Sequence, residues 1–303
     1  MFCSCQKEID LDIPGHKDRL VIDGRIETGQ IPFVLLSKSQ DIYAPTDLED
    51  LLNSFQKGAV VTVSDGANTE QLQELCSNNL PPGVEDDFAA LFGIPVSELP
   101  NIEVCLYAPS NLNFVGEVGK TYQLTVEFEG EIYEGSTSIL APWPADSIYW
   151  KEDLDVPNFG LSWVTLSDPP GQYDAYFWEC KRINKGIDGE PLDAQFETTF
   201  NPAFDDTFFD GLTFDFAYEN PHNFNADTPI EERGFYARGD TVVIKFSKID
   251  EATYDYMEKK YTQLQGGGSP FAGPVNIPSN MSNGALGVWA GFSPVFDTLI
   301  CQD

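Results

Sequence analysis

A mainly β chain of two sandwich domains is the fold class this sequence predicts, and three observations predict it. Short β-branched or aromatic runs recur along the 303 residues, most of them bounded by Gly, Pro or Asp. Several alternate apolar with polar residues, the period of a strand that is wet on one face. The segment Ala141-Pro142-Trp143-Pro144 then interrupts the pattern with two stiff prolines, after which it restarts. Residues 20–144 are therefore expected to form an immunoglobulin-like β-sandwich with a helical insertion at 69–103. Residues 145–303 are expected to form a second mainly β domain with one helix in its C-terminal half, and residues 1–19 a signal remnant and tether.

In the first unit the strand runs are Leu20 to Ile26, Phe33 to Leu36, Ala59 to Val63 and Thr121 to Phe128. In the last, Tyr122, Leu124, Val126 and Phe128 alternate with Thr121, Gln123, Thr125 and Glu127, and Glu129-Gly130-Glu131 turns the chain into Ile132-Tyr133-Glu134. Thr46-Asp47-Leu48-Glu49 has the spacing of a capping box leading into Leu51, Leu52 and Phe55. Thr69 to Cys76 and Glu85 to Phe92 read as short helices of the insertion. In the second unit Tyr173 to Cys180, Leu212 to Tyr218 and Thr241 to Phe246 are strand-like. A helix is expected from an N-cap at Asp250, with Tyr254, Met257, Tyr261 and Leu264 on one face and Gly266-Gly267-Gly268 ending it. The chain returns through Gly287-Val288-Trp289 and Val295-Phe296.

Charge narrows the function classes. Asp and Glu number 49 against 17 Lys and Arg, a formal charge of -32, which repels nucleic acid and anionic headgroups. Aromatic residues make up 13% of the chain, enough apolar surface for real cores despite that charge. No run approaches the roughly 20 apolar residues of a spanning helix.

The first residues still point to a membrane. Met1-Phe2-Cys3-Ser4-Cys5 followed by Gln6-Lys7-Glu8 resembles the end of a bacterial lipoprotein signal, so the sequence is expected to begin inside that signal, or its start to have been placed too late, with lipid attached at Cys5. The competing reading is a cytoplasmic protein with two thiols near its N-terminus. Six cysteines occur, and with Cys3 removed and Cys5 acylated an even set remains: Cys76, Cys105, Cys180 and Cys301. In an oxidising compartment the expected bridges are Cys76–Cys105 and Cys180–Cys301; four buried free thiols are the alternative.

Catalytic material is sparse. The two histidines, His16 and His222, have no Gly-x-Ser-x-Gly elbow to serve, and both are expected in solvated segments. No Cys-x-x-Cys or His-Glu-x-x-His spacing supports zinc. Glu85-Asp86-Asp87, and Asp205-Asp206 with Asp210, are the densest carboxylate groups and the candidates for a glycosidase pair or a calcium site; neither matches a calcium loop and an acidic chain produces such groups by chance, so solvated loops are the competing reading. No catalytic residue, metal or cofactor is therefore assigned beyond covalent lipid at Cys5. Phe204, Phe208, Phe209, Phe214, Phe216, Tyr218 and Phe224 crowd one stretch, where strand alternation favours a core. Phe208-Phe209 before Asp210-Gly211 breaks the alternation and is the preferred exposed apolar contact. Leu91, Phe92 and Ile94 of the insertion are the other expected partner contacts, with burial over the first sandwich as the competing reading.

Cys5 with its acidic follow-on, Leu20-Val21-Ile22-Asp23-Gly24, Gly58-Ala59-Val60-Val61-Thr62-Val63-Ser64-Asp65-Gly66, Gly119-Lys120-Thr121-Tyr122-Gln123-Leu124, and Pro270-Phe271 through Asn280 to Gly284-Ala285-Leu286-Gly287 together resemble an uncharacterised family of Bacteroidota lipoproteins. The resemblance spans nearly the whole chain; Ala285 stands where a further glycine is expected, and the insertion at about 70 to 102 is additional. It implies a surface lipoprotein often encoded beside TonB-dependent receptors, with no established activity and no catalytic residues to carry over. Lys7, Glu8, Asp10 and Asp12 resemble the acidic surface-export tract of such proteins. The expected function is a non-enzymatic accessory or assembly partner of an outer-membrane β-barrel receptor complex, lipid-anchored and facing the cell exterior. A glycan-binding or glycan-cleaving surface protein is the alternative, and an exposed aromatic platform beside carboxylates would favour it.

Overall fold

The computed structural model describes residues 18–39, 52–186, 189–224, 228–266 and 276–302. The expected lipid site Cys5, its tether, His16, the capping box at Thr46 and the glycines after Gly266 lie outside the described residues. The chain is mainly β, as expected, and it is organised by one open sheet of eleven strands. At one end lie β1 (Leu20–Glu27), β2 (Phe33–Lys38), β3 (Val60–Ser64), β4 (Thr69–Cys76), β5 (Cys105–Pro109), β6 (Thr121–Phe128) and β7 (Glu131–Ser138). A second sheet holds β8 (Ser147–Glu152), β9 (Phe159–Ser167), β12 (Thr213–Tyr218) and β13 (Tyr236–Ala237). The large sheet continues through β10 (Ala175–Arg182), β11 (Glu197–Asp205), β14 (Thr241–Ile249) and β15 (Leu286–Ile300), in the order β11-β10-β14-β15-β1-β2-β5-β4-β3-β6-β7. Two α-helices lie wholly within the described residues, α1 (Glu85–Phe92) and α2 (Glu251–Gly266), and no described helix is long and apolar enough to cross a membrane.

The expected immunoglobulin-like arrangement is not what the hydrogen bonds make. No break divides β1 to β7 into two facing sheets; the seven strands follow one path that curls until β7 returns to the neighbourhood of β15. Asn280 fastens that return, donating from Nδ2 to the carbonyls of Trp289 at 2.7 Å and Ser136 at 3.2 Å. Inside the curl Ile22, Val34, Val61, Leu124, Val126 and Trp289 form one apolar core.

The sheet also crosses residue 144 without interruption, because β15 serves both halves. Leu286 to Phe292 pair parallel with β1, and Phe292 to Ile300 pair antiparallel with β14. Two motifs from opposite ends of the sequence thereby meet: Ile22 lies beside Gly287 and Gly24 beside Trp289. The indole needs the space that Gly24 leaves, since a Cβ there would stand 2.6 Å from its Cε3. Gly287 has φ +91 and a Cβ on it would meet the Ile22 carbonyl at 2.1 Å, so the same junction requires a second glycine. The Trp289 indole donates to the Tyr122 carbonyl at 3.0 Å, tying β15 to β6. In the remaining motifs Asp65 caps its own turn by accepting from Ala67 and Asn68, and pairs with Lys120 at 3.0 Å. The motif residues are thus turn and junction residues.

Beyond residue 144 both faces of the large sheet are covered. Val164 and Leu166 of the small sheet pack on Tyr176, Trp178, Ile244, Phe246 and Leu299 of the large one. On the opposite face α2 lays Tyr256 and Met257 over Phe177, Val288 and Phe292. Asp250 caps α2 as expected, its carboxylate accepting from Thr253 N at 2.9 Å, and it also accepts from Ser138 N of β7. Leu264, expected on the buried face, is exposed.

Thr69 to Cys76 is a strand and not the expected helix. Gln, Leu and Glu favour a helix locally, but Leu72 pairs with Val61 on one side and Pro109 on the other, and two ladders outweigh a weak propensity. The ladder places Cys76 opposite Cys105, and the expected bridge between them is present. The second expected bridge is not: Cys180 and Cys301 are buried free thiols. Cys180 lies opposite Ile244, whereas Cys301 bonds to Asp240 from the other side of β14. Four residues along a strand amount to about 13 Å, far beyond the roughly 7 Å that a disulfide spans between Cα atoms.

Candidate functional site

The expected contact residues divide between surface and core. Phe92 and Ile94 turn inward with Phe88 and Leu99 and cover Phe33, Leu35, Leu75 and Leu106 on the outer face of the curled sheet. Phe92 also meets Phe55 with ring centroids 6.2 Å apart. Phe92 and Ile94 are both partly buried, the arrangement that the competing reading describes: the insertion closes a sheet face, because α1 and the 3-10 helix Val96–Asn101, laid on β2, β4 and β5, bury apolar area that water would otherwise cover. Leu91 remains exposed. At the other candidate the pair splits again. Phe209 packs on Phe214 and Phe204, with centroids 4.1 and 6.1 Å apart, while Phe208 is 92% exposed.

The turn carrying Phe208 is held from below. Phe209 N and Asp210 N both donate to the Asp206 carbonyl at 2.9 Å, and Leu212 N donates to the Phe209 carbonyl. Asp210, one of the expected acidic group, accepts from Gly171 N at 2.7 Å, and Asp205 accepts from the Thr207 hydroxyl. Neither therefore works with Asp206. Instead the fold brings Asp206 to Asp168, which lies just after β9, and to Asp174, just before β10. One carboxylate oxygen from each lies within 4.8 Å of the others, and all three residues are buried.

The neighbours of this triad are donors. The Tyr176 hydroxyl donates to Asp168 Oδ1 at 2.8 Å and Gly211 N to Asp168 Oδ2 at 3.2 Å. Gln172 Nε2 donates to both oxygens of Asp174, and Lys248 Nζ stands 2.5 Å from Asp174 Oδ1. Asp206 Oδ2 is buried and has no hydrogen-bond partner. Burial pushes the Asp206 carboxyl up from its ordinary range, against the pull of the Asp174 backbone bond, and the charges of Asp168 and Asp174 push it the same way. Sequence spacing gave no sign of this grouping, since Asp168 and Asp174 flank a Pro-Pro-Gly turn and Asp206 follows two strands later. The Glu85-Asp86-Asp87 run occupies the first turn of α1, where acidic charge complements the helix dipole.

A second charged cluster lies on the α2 face. Arg25 Nη2 bonds Glu179 Oε2 at 2.7 Å, and Lys245 Nζ stands 2.7 Å from Glu27 and 3.3 Å from Glu179. Burial pushes Glu179 up, but the Arg25 and Lys245 charges, with their hydrogen bonds, outweigh it and hold the carboxyl below its ordinary value. Arg25 and Glu179 of this cluster, with Asp23, Phe33, Met257, Lys260 and Tyr261, line a cleft of about 170 Å³ between the patches covered by α1 and α2. Within it Arg25 and Glu179 are paired with each other, and Lys260 Nζ stands 3.8 Å from Asp23 Oδ2.

His222 is mostly buried and not on the solvated loop expected for it. Its Nε2 lies 3.1 Å from the Cys180 carbonyl oxygen and its Nδ1 3.5 Å from Asp193, which Arg182 grips through both carboxylate oxygens. The Cys180 thiol faces the Tyr236 hydroxyl at 3.0 Å, and burial pushes it up to about 12. A thiol so protonated, with the imidazole turned to a carbonyl, makes no Cys-His nucleophile.

The model of a domain of unknown function, DUF4249, matches residues 6–295, and the chain belongs to that family. No curated protein and no solved structure matches it.

Proposed function

We propose that the protein is a non-enzymatic docking component: an outer-membrane lipoprotein, anchored by lipid at Cys5 and facing the cell exterior, that serves as accessory or assembly partner of a β-barrel receptor complex of the TonB-dependent type. We read it as two units, 20–144 and 145–303, sharing one sheet. One observation carries the docking role. Phe208 is 92% exposed at the tip of a turn whose backbone is tied on both sides, so a large apolar group is presented to solvent at little further entropic cost. Charge supports the same reading: a chain of -32 repels wrong partners while a few apolar anchors supply affinity. Lipid at Cys5 would add the membrane hold that the described helices do not supply.

The test is recovery from the native membrane in mild detergent. The wild-type protein is expected to bring down an outer-membrane β-barrel, and Phe208→Asp to lose it while remaining folded. Recovery of the lipoprotein alone in both cases would end the proposal. Cys5→Ala is expected to leave the membrane fraction.

One observation favours glycan binding as a second reading. Tyr149 and Trp163 stack side by side on the outer face of the small sheet, with centroids 6.5 Å apart and planes 22° apart, and Asp215 lies one ladder step away, accepting from Thr165. Flat ring pairs beside a carboxylate suit sugar faces. Affinity electrophoresis on polysaccharide gels separates the readings: retardation abolished by Trp163→Ala would favour this one.

A further inference from the structure

We propose that Asp168, Asp174 and Asp206 form a binding site for a hard divalent cation such as calcium, which locks the turn from Asp206 to Leu212. The site itself does not depend on the docking reading. Charge balance is the first ground. Three buried carboxylates face one ammonium, that of Lys248, and the two negative charges left over are what a divalent cation would neutralise. The second ground is Asp206 Oδ2, an oxygen without solvent access or hydrogen-bond partner, on a side chain only 3% exposed and grouped with the other two carboxylates. A buried acceptor of this kind is unfavourable unless something binds it.

Donor chemistry selects the ion. All three groups offer oxygen, which suits calcium, magnesium or manganese and not zinc or copper. The oxygens lie within 4.8 Å of one another, close enough for a single cation to reach all three. The surrounding groups orient the ligands as outer partners of a metal site do: the Tyr176 hydroxyl and Gly211 N hold Asp168, and Gln172 and Lys248 hold Asp174. An ion here would join the two ends of the β9–β10 loop to the turn after β11, which lies more than thirty residues further along the chain. The Asp206 carbonyl already anchors that turn through Phe209 and Asp210, so fixing Asp206 fixes the backbone on which Phe208 stands.

The experiment uses the full chain stripped with a chelator. Terbium, excited through tyrosine, is expected to luminesce from a site beside Tyr176 with one ion per chain, and calcium is expected to displace it. Calcium at about 100 times its dissociation constant is expected to raise Tm by some 5 °C over the chelated protein. Asp206→Asn, which keeps the shape and removes an uncompensated charge, is expected to fold and to weaken calcium binding at least tenfold. Asp86→Asn, in the acidic first turn of α1, is expected to bind as wild type and controls for general acidity. Absence of terbium emission and of any calcium effect on wild-type Tm would overturn the proposal. So would equal calcium affinity in Asp206→Asn and Asp86→Asn.

Discussion

The curled half and the layered half of this protein bury one continuous sheet by different means. Residues of β1 to β7 close on themselves around an interior of Ile, Val, Leu and aromatic side chains, and a disulfide staples β4 to β5. The layered half takes ionised groups inside: of nine buried charged residues among those described, only Glu27 precedes residue 144. The stability of the first half should therefore follow apolar packing and the bridge, and that of the second should follow protonation and ions. Both depend on β15, whose two ends belong to different ladders.

Trp289→Ala is the severest break of this comparison. The indole fills the space over Gly24 and bonds the Tyr122 carbonyl, so its loss is expected to cost about 3–5 kcal/mol and to loosen the curl before the layered half. Calorimetry reads this as a split of one transition into two. A single transition lowered as a whole would instead show that β15 couples the halves completely.

Replacing Cys76 and Cys105 together by serine is expected to cost about 3–4 kcal/mol, from a closed loop whose ends are 29 residues apart. Only the curled half should be affected. Cys180 and Cys301, both pushed up to about 12 by burial, are expected to resist alkylation in the native protein and to react once it is unfolded. Mass spectrometry after labelling with and without denaturant counts them, and a native Cys180–Cys301 peptide would contradict the strand register.

Glu179→Gln sharpens the comparison from the other side. Its carboxyl is lowered from 4.5 by Arg25 and Lys245 against the opposing effect of burial, so its contribution is fully present above pH 4.5 and is lost as pH falls through the depressed value. The variant is expected to lose about 2 kcal/mol at pH 7 and progressively less below pH 4.5. Denaturant midpoints across that range check it. A constant loss would mean that Glu179 acts by packing alone.

Alternation made β6 readable residue by residue, because Tyr122, Leu124 and Val126 enter an apolar core while Thr121, Gln123 and Glu127 meet water. The cap at Asp250 and the helix Glu85–Phe92 were legible for the same reason: their signals lie within a few residues. The Phe208-Phe209 turn was legible as a break in the pattern, though not which ring stays outside. The acidic triad was not legible, since Asp206 follows two strands after the loop that carries Asp168 and Asp174, and its denser neighbours Asp205 and Asp210 bind elsewhere.

By itself, then, the sequence determined the mainly β class, most strand positions, the Cys76–Cys105 bridge and the place of the exposed phenylalanine. Each is governed by interactions over short stretches or by strands that a simple register aligns. Only the tertiary structure decided that the sheet runs through residue 144, that Thr69 to Cys76 is a strand, that Cys180 and Cys301 stay apart, and that Asp168, Asp174 and Asp206 converge. The physical reason is common to all four. Ladder pairing and charge burial are settled by partners tens to hundreds of residues away, as when Gly24 admits Trp289, and local propensity is too weak to oppose them.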